Sequence, residues 1–343
     1  MRMEHVIAAK GVKKKLSFLP TGPALHKISA LLTLILLIFV FSFTSPAFLS
    51  VNNGLAVLLQ TSVIGLLAIG MTMVIITGGI DLSVGSVLAL AGVVAGLIIK
   101  AGMLVLPAMA LGVVAGAACG FVNGLVITKM RITPFVATLG MMLIARGVAL
   151  QLTGATPISR LGETFGKLGN GTFFRVMEMQ ANGFPKVIFP GIPYPAFLLL
   201  VMAVLGAFLL QKRQIGRHFF SVGSNEEAAH LSGVNVDRTR IWAYTASGAL
   251  AGLSGMVLMS RLVTVQPNEG VMYELDAIAA SVIGGASLMG GVGSISGSMI
   301  GAFIIGILRN GLNMAGTSAF IQQIIIGVVV IAAVYIDQLR HRK

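Results

Sequence analysis

Asp81 is the only charged residue between Gly54 and Ile99. An acid set in apolar sequence is a candidate for proton uptake, for holding a cation, or for capping a helix. It stands in Thr77-Gly78-Gly79-Ile80-Asp81-Leu82-Ser83-Val84-Gly85-Ser86. There the glycine pair breaks one helix, Asp81 can cap the next, and Ser83 and Ser86 offer hydroxyls. Gly284-Gly285, with Ser287 beside them, and Gly290-Gly291-Val292-Gly293 interrupt a second apolar run that begins after Asp276. The third polar group is the longest break in the apolar sequence, Lys212 to Arg240. Within it Asn225-Glu226-Glu227-Ala228-Ala229-His230-Leu231-Ser232 reads as a short helix stopped by Gly233, with two carboxylates in its first turn. Such a helix is either a solvated loop element or a handle for another protein.

Other chemistry lacks its residues. The five histidines (His5, His26, His218, His230, His341) are scattered through polar segments, so neither a metal site nor an intramembrane proton relay is predicted. No Gly-x-x-x-x-Gly-Lys-Ser/Thr loop occurs, since Gly166-Lys167-Leu168 lacks the spacing and the hydroxyl residue. Cys119, the single cysteine, sits in Gly-Ala-Ala-Cys-Gly as a small packing residue and can form no internal disulfide. No catalytic residue, metal or cofactor is expected.

The chain is 56% hydrophobic and 10% charged, with 43 glycines and 18 methionines. Apolar runs of about 20 residues, the length that spans a bilayer, recur along it. Ten segments follow: one over Ile28–Thr44, two within 54–99, then 103–128, 134–153 and 195–210. The others are 241–265, two within 276–308, and 321–336. The run from 54 to 99, at 1.5 Å per residue, is roughly 69 Å, two spans with almost no loop. The run after Asp276 is too short for two straight spans, so short or re-entrant helices meeting at glycines are expected. Gly112, Gly116, Gly120 and Gly124 form a ridge for close helix packing. Arg146, embedded in the fifth segment, either faces a pathway or pairs with a carbonyl or an acid. Residues 154–192 and 266–274 are read as external loops, and Trp242 and Tyr244 as interfacial aromatics.

The net charge of +13 is distributed by loop, as in a membrane protein, and predicts no nucleic-acid partner. Sixteen Lys and Arg fall in the tail 1–27, at 129–131, in 212–240 and at the C-terminus; seven fall elsewhere at the outer edge. Both termini are therefore expected in the cytoplasm and the first span retained. The halves echo each other faintly, Gly78–Ser86 against Gly290–Ser298, and paired interrupted helices point to a translocation site. With few acids for ion coupling, a transporter of this composition must borrow its energy.

Three stretches resemble the permease subunits of ribose-type ATP-binding-cassette sugar importers: Gly70-Met71-Thr72 with 77–86; 223–235; and Tyr273–Ala280 with 284–291. The similarity runs from about residue 45 to 338. It implies an all-α, polytopic inner-membrane permease domain (28–338) of about ten helices, similar to the vitamin B12-type importers, behind a basic tail (1–27). It implies two ATP-binding subunits on the cytoplasmic face, which bind the ATP. A periplasmic or lipid-anchored sugar-binding protein and a second permease copy or paralogue complete the assembly. Gly223, Asn225, Glu226, Glu227, Ala228, Ala229 and Gly233 resemble a coupling helix that docks on the ATPase, inside a coupling segment 212–240. Asp81, Ser83, Ser86, Gly284, Gly285 and Ser287 are candidates for the pathway, with Ser294 nearby. The cargo implied is a monosaccharide, D-ribose by preference. The alternative is an ion-coupled secondary sugar carrier dependent on Asp81.

Overall fold

The structure is a computed structural model and describes residues 23–179 and 185–341. Most of the tail expected over 1–27 lies outside the described residues, as do Arg342 and Lys343. The elements in chain order are α1 (Pro23–Ser42), α2 (Val51–Ile76), α3 (Val84–Lys100), α4 (Val105–Lys129), α5 (Pro134–Thr153) and α6 (Glu163–Asn170). Four short strands follow: β1 (Thr172–Phe173), β2 (Val176–Met179), β3 (Pro185–Phe189) and β4 (Ile192–Pro193). Then come α7 (Tyr194–Lys212), α8 (Gln214–Ser224), α9 (Glu226–Leu231), α10 (Val236–Leu262), α11 (Tyr273–Ile283), α12 (Ile295–Met314) and α13 (Ala319–His341).

Each of the ten apolar segments contains one helix. Six of them (α2, α4, α5, α7, α10 and α12) are long and apolar enough to cross a membrane. Shorter apolar runs lie in α1, α3 and α13. The 11 residues of α11 reach only about 17 Å, roughly half a bilayer core.

Helices α2 and α10 are the buried centre. Along α2 every residue from Thr61 to Ile76 is buried, and α7, α10, α11 and α12 surround it. The glycine ridge of α4 faces α10. A Cβ on Gly116 would strike the Gly248 carbonyl and the Gly252 backbone, and one on Gly120 the Tyr244 carbonyl. Main chain therefore packs on main chain, the small-residue contact that holds helices together where lipid supplies no hydrophobic drive.

Three local expectations change. Tyr244, read as interfacial, is 1% exposed with its hydroxyl against Gly79, while Trp242 does lie on the outside at 60%. The segment 266–272 is seated on the bundle at Pro267 and Gly270, the latter against the Gly85 carbonyl and Leu88. Arg146 holds it there, donating from Nη1 to the carbonyls of Pro267 (2.5 Å) and Glu269 (2.7 Å). Irregular backbone inside a membrane protein needs such partners for its carbonyls, which explains a cation in mid-helix. Finally, residues 172–179 and 185–193 form two small antiparallel sheets, β1 with β4 and β2 with β3, where only a loop was expected.

Candidate functional site

The first break is a strut of polar side chains. Helix α2 is capped by Thr77, whose hydroxyl donates to the Val74 carbonyl (2.7 Å), and Gly78 takes φ +80. Asp81 Oδ1 accepts from the Ser83 amide (3.0 Å) and the Ser83 hydroxyl (2.6 Å), and Oδ2 accepts from the Ser247 hydroxyl (2.8 Å). Asn123 Nδ2 donates to Ser83 Oγ (3.0 Å). The residue preceding α3 is Ser83, without a side-chain cap; Asp81 instead forms a turn through the amide two residues on. One carboxylate thus ties the α2–α3 turn to α10 and, through Ser83, to α4.

The second break runs from Gly284 to Ser294. Gly284 ends α11 and packs on the Gly297 backbone, and Gly285 takes φ +91. The loop closes on itself through Ser287 N to the Val292 carbonyl (3.0 Å) and Gly290 N to the Ser287 carbonyl (2.9 Å). Ser294 caps α12 by accepting from Gly297 N (3.2 Å). The Thr72 hydroxyl lies 2.6 Å from that of Ser298 and 3.1 Å from that of Ser281, joining α2, α12 and α11.

The two breaks meet, and the third party at the meeting is α8. Gly291 N donates to the Ile76 carbonyl, the last residue of α2 (2.9 Å). A Cβ on Gly223 would collide with that same carbonyl and with Gly291 N, and one on Gly290 with Gly223 and Gly78. Gly223 is the penultimate residue of α8, so only Ser224 and Asn225 separate this junction from α9.

Helix α9 is built as the sequence predicts. Asn225 Oδ1 accepts from Ala228 N (2.8 Å), and the stop falls at Ser232–Gly233, with Gly233 at φ +82. Ala229 packs with Val222 and Val236, so α8, α9 and the start of α10 share a small core. Arg240 grips Glu226 with two bonds, 3.0 and 2.6 Å. Glu226, Glu227, Ala228 and His230 face outward, and Leu231 is 81% exposed. An open cleft of about 1130 Å³ runs from Glu226, Glu227 and His230 to Gly78 at the first break.

The coupling candidates therefore come together with Gly78 and the second break. Asp81, Ser83, Ser86 and Ser287 are placed differently from open pathway groups: each is at most 3% exposed. Sequence reasoning missed α8, the part of Gly290–Gly291, and Leu231. Only Leu231 left a signal, as a large apolar residue in a short polar helix. Among the described residues, no three His, Cys, Asp or Glu side chains converge on a metal-sized site.

Replacing Asp81 checks the strut. In Asp81→Asn the amide oxygen can keep both Ser83 bonds while its NH₂ donates to the Ser247 hydroxyl, which must turn to accept; charge-assisted bonds become neutral ones, a loss of about 1 kcal/mol. Thermal unfolding in detergent is expected to fall by a few degrees. Uptake by the folded fraction is expected to stay insensitive to collapse of ion gradients.

Apolar helices broken in pairs, with the breaks meeting inside the bundle, define a class: a membrane-embedded permease. The family described as branched-chain amino acid transport system / permease component matches residues 53–334, and the chain belongs to it. It is 41% identical over 312 residues to the ribose import permease of Escherichia coli (strain K12), covering 90% of this chain and 92% of that one. Against the ribose import permease of Bacillus subtilis (strain 168) the identity is 43% over 315 residues, covering 92% and 93%. The xylose transport system permease of Haemophilus influenzae is 35% identical over 346 residues, covering 88% and 92%. No solved structure matches the chain. The resemblance to ribose-type permeases thus holds along nearly the whole chain. This is a non-catalytic, multi-pass permease subunit of an inner-membrane importer.

Proposed function

We propose that this chain forms the membrane path of an ATP-binding-cassette importer for a monosaccharide, with an aldopentose of the ribose type as the favoured cargo. The observation that carries the mechanism is the junction at Gly223, where the segment leading into α9 touches the ends of both helix breaks. In this reading Glu226, Glu227, Ala228 and Leu231 seat in a groove of the ATP-binding subunit. Gly223, Asn225, Ala229 and Gly233 shape the segment 212–240 that carries the push. The partner binds and hydrolyses the ATP. Movement of α9 pulls on Ile76 and Gly291 and re-angles both breaks. Asp81, Ser83, Ser86, Gly284, Gly285 and Ser287 act on the pathway by holding the geometry of the breaks.

The cargo rests on the relatives, named for ribose and xylose. The ten helices over 28–338 are taken as about ten membrane segments, α11 entering only part-way, in an arrangement similar to the vitamin B12-type importers, with the tail 1–27 and both termini in the cytoplasm. Two permease copies or paralogues, two ATP-binding subunits and a periplasmic or lipid-anchored binding protein complete the machine. The binding protein docks on the end away from α9. The test is reconstitution of the permease with its ATP-binding and binding-protein partners in liposomes. ATP-dependent accumulation of labelled D-ribose, with competition by D-xylose and L-arabinose, is expected. Accumulation driven by an ion gradient without ATP would overturn the reading.

A further inference from the structure

Helix α7 packs along α2, and a crevice of about 250 Å³ separates it from α4 and α10. Ile69 and Met73 of α2 form the floor. Met202, Leu205 and Leu209 of α7 stand on one side. Ala246, Ala249 and Leu253 of α10, with Val113 of α4, stand on the other. Every lining residue is apolar, and Leu205 at the rim is 54% exposed, so the crevice is open along its outer side. Helices α4, α7 and α10 are each long and apolar enough to span a bilayer. In a membrane that opening faces hydrocarbon.

Both walls lead to cations at the same end of the bundle. On α7 the spacing 202, 205, 209 continues to Lys212 and Arg213, within a turn of Leu209. On α10 the spacing 253, 249, 246 continues to Trp242 and Arg238, about 6 and 12 Å beyond Ala246 at 1.5 Å per residue. Residues three and four apart share a helix face. Trp242 is 60% exposed, as an indole is at a membrane–water boundary. Arg213 lies over the Phe208 ring, 5.1 Å from its centroid, so its guanidinium turns back along α7. Of the acids on α9 and α10, Asp237 holds Lys129 and Glu226 holds Arg240, while Glu227 faces outward. Lys212, Arg213 and Arg238 are exposed and enter no ion pair among the described residues.

We propose that the crevice holds one acyl chain of an anionic phospholipid from the leaflet at the α9 end, with the lipid phosphate held by Lys212, Arg213 and Arg238. Hydrocarbon groove, indole and cations occur in the order such a lipid needs. An acyl chain supplies the dispersion contacts that the crevice walls otherwise lack, and the flexible Met73 and Met202 adapt to its bends. The long basic side chains lay their stems along apolar surface and carry charge to headgroup level, where ammonium and guanidinium groups bind phosphate. A zwitterionic lipid would fill the groove but leave the three cations without a net negative partner. A protein segment would have to bring both an apolar knob and an acid, and an anionic lipid already carries the two together. Bound there, the lipid bridges α7 to α10 across a gap that the protein leaves open. The site requires only a chain embedded in a bilayer, whatever the cargo and the energy source.

The experiment is native mass spectrometry of the full permease in mild detergent, titrated with phosphatidylglycerol or with phosphatidylcholine of the same acyl chains. One phosphatidylglycerol is expected to be retained about tenfold more tightly than phosphatidylcholine. Lys212→Gln, Arg213→Gln and Arg238→Gln combined are expected to abolish that preference and leave phosphatidylcholine retention as it was. Ala249→Trp, which fills the crevice, is expected to lower retention of both lipids. Because the three cations are exposed, the charge variant carries the test even where Ala249→Trp does not fold. Equal retention of the two lipids by the parent would overturn the proposal, as would a preference that survives in the charge variant. Glycerol 1-phosphate competing as well as intact lipid would mark a bare phosphate site. Loss of a permease dimer in Ala249→Trp, with lipid retention unchanged, would give the crevice to a second copy. Either result would also overturn it.

Discussion

Gly223→Val is expected to abolish uptake and to lower thermal stability more than any change on the surface of α9. The added Cβ would enter the space of the Ile76 carbonyl and Gly291 N. Neither is the tip of a flexible side chain, so the three backbones must part. Overpacking of this kind costs about 1–3 kcal/mol. Losing the bond from Gly291 N to the Ile76 carbonyl adds about 1 kcal/mol. The consequence for transport is larger than for folding, because the contact being separated is the one through which α9 reaches both breaks. Unfolding curves and vesicle uptake on the same preparation check this. Unchanged uptake in Gly223→Val would show that the junction carries no motion.

The double change Glu226→Lys with Glu227→Lys is expected to have the opposite profile, with folding kept and transport lost. The Arg240–Glu226 pair is partly exposed, so its loss costs at most about 1 kcal/mol. Two lysines in the first turn of α9 oppose the helix dipole by about 0.3–1 kcal/mol each. At the docked surface, placing like charges where opposite ones met costs several kcal/mol, and each 1.4 kcal/mol is tenfold in affinity. Uptake should fall more than tenfold with a melting temperature within a few degrees of the parent. Normal uptake in that variant would remove α9 from the coupling path.

What could be read from the sequence was the information carried by local pattern. Apolar runs and their glycine breaks located all ten bundle helices, since each reports only on its own burial. Asn225 and Gly233 marked the ends of α9 because capping is decided within a few residues. The ridge from Gly112 to Gly124 announced a close packing partner without saying that it is α10. The remainder depends on long-range contact. Nothing near Gly223 reveals that Ile76 lies against it. Tyr244 resembles any interfacial aromatic until α4 and the α2–α3 turn cover it. The seating of 266–272 on the bundle is set by Arg146, more than a hundred residues earlier. Asp81 was found as an unusual acid, yet its partners Ser247 and Asn123 are ordinary residues in apolar helices.

In the proposed mechanism α9 receives the work of a separate ATP-binding subunit. The most direct measurement is co-purification of the tagged permease from its own membrane in mild detergent, with ATP hydrolysis assayed on the product. A stoichiometric ATP-hydrolysing partner, lost when Glu226 and Glu227 are both replaced by lysine while the permease itself remains folded, is the predicted result. A permease that purifies alone and still moves sugar in vesicles under an ion gradient would contradict it.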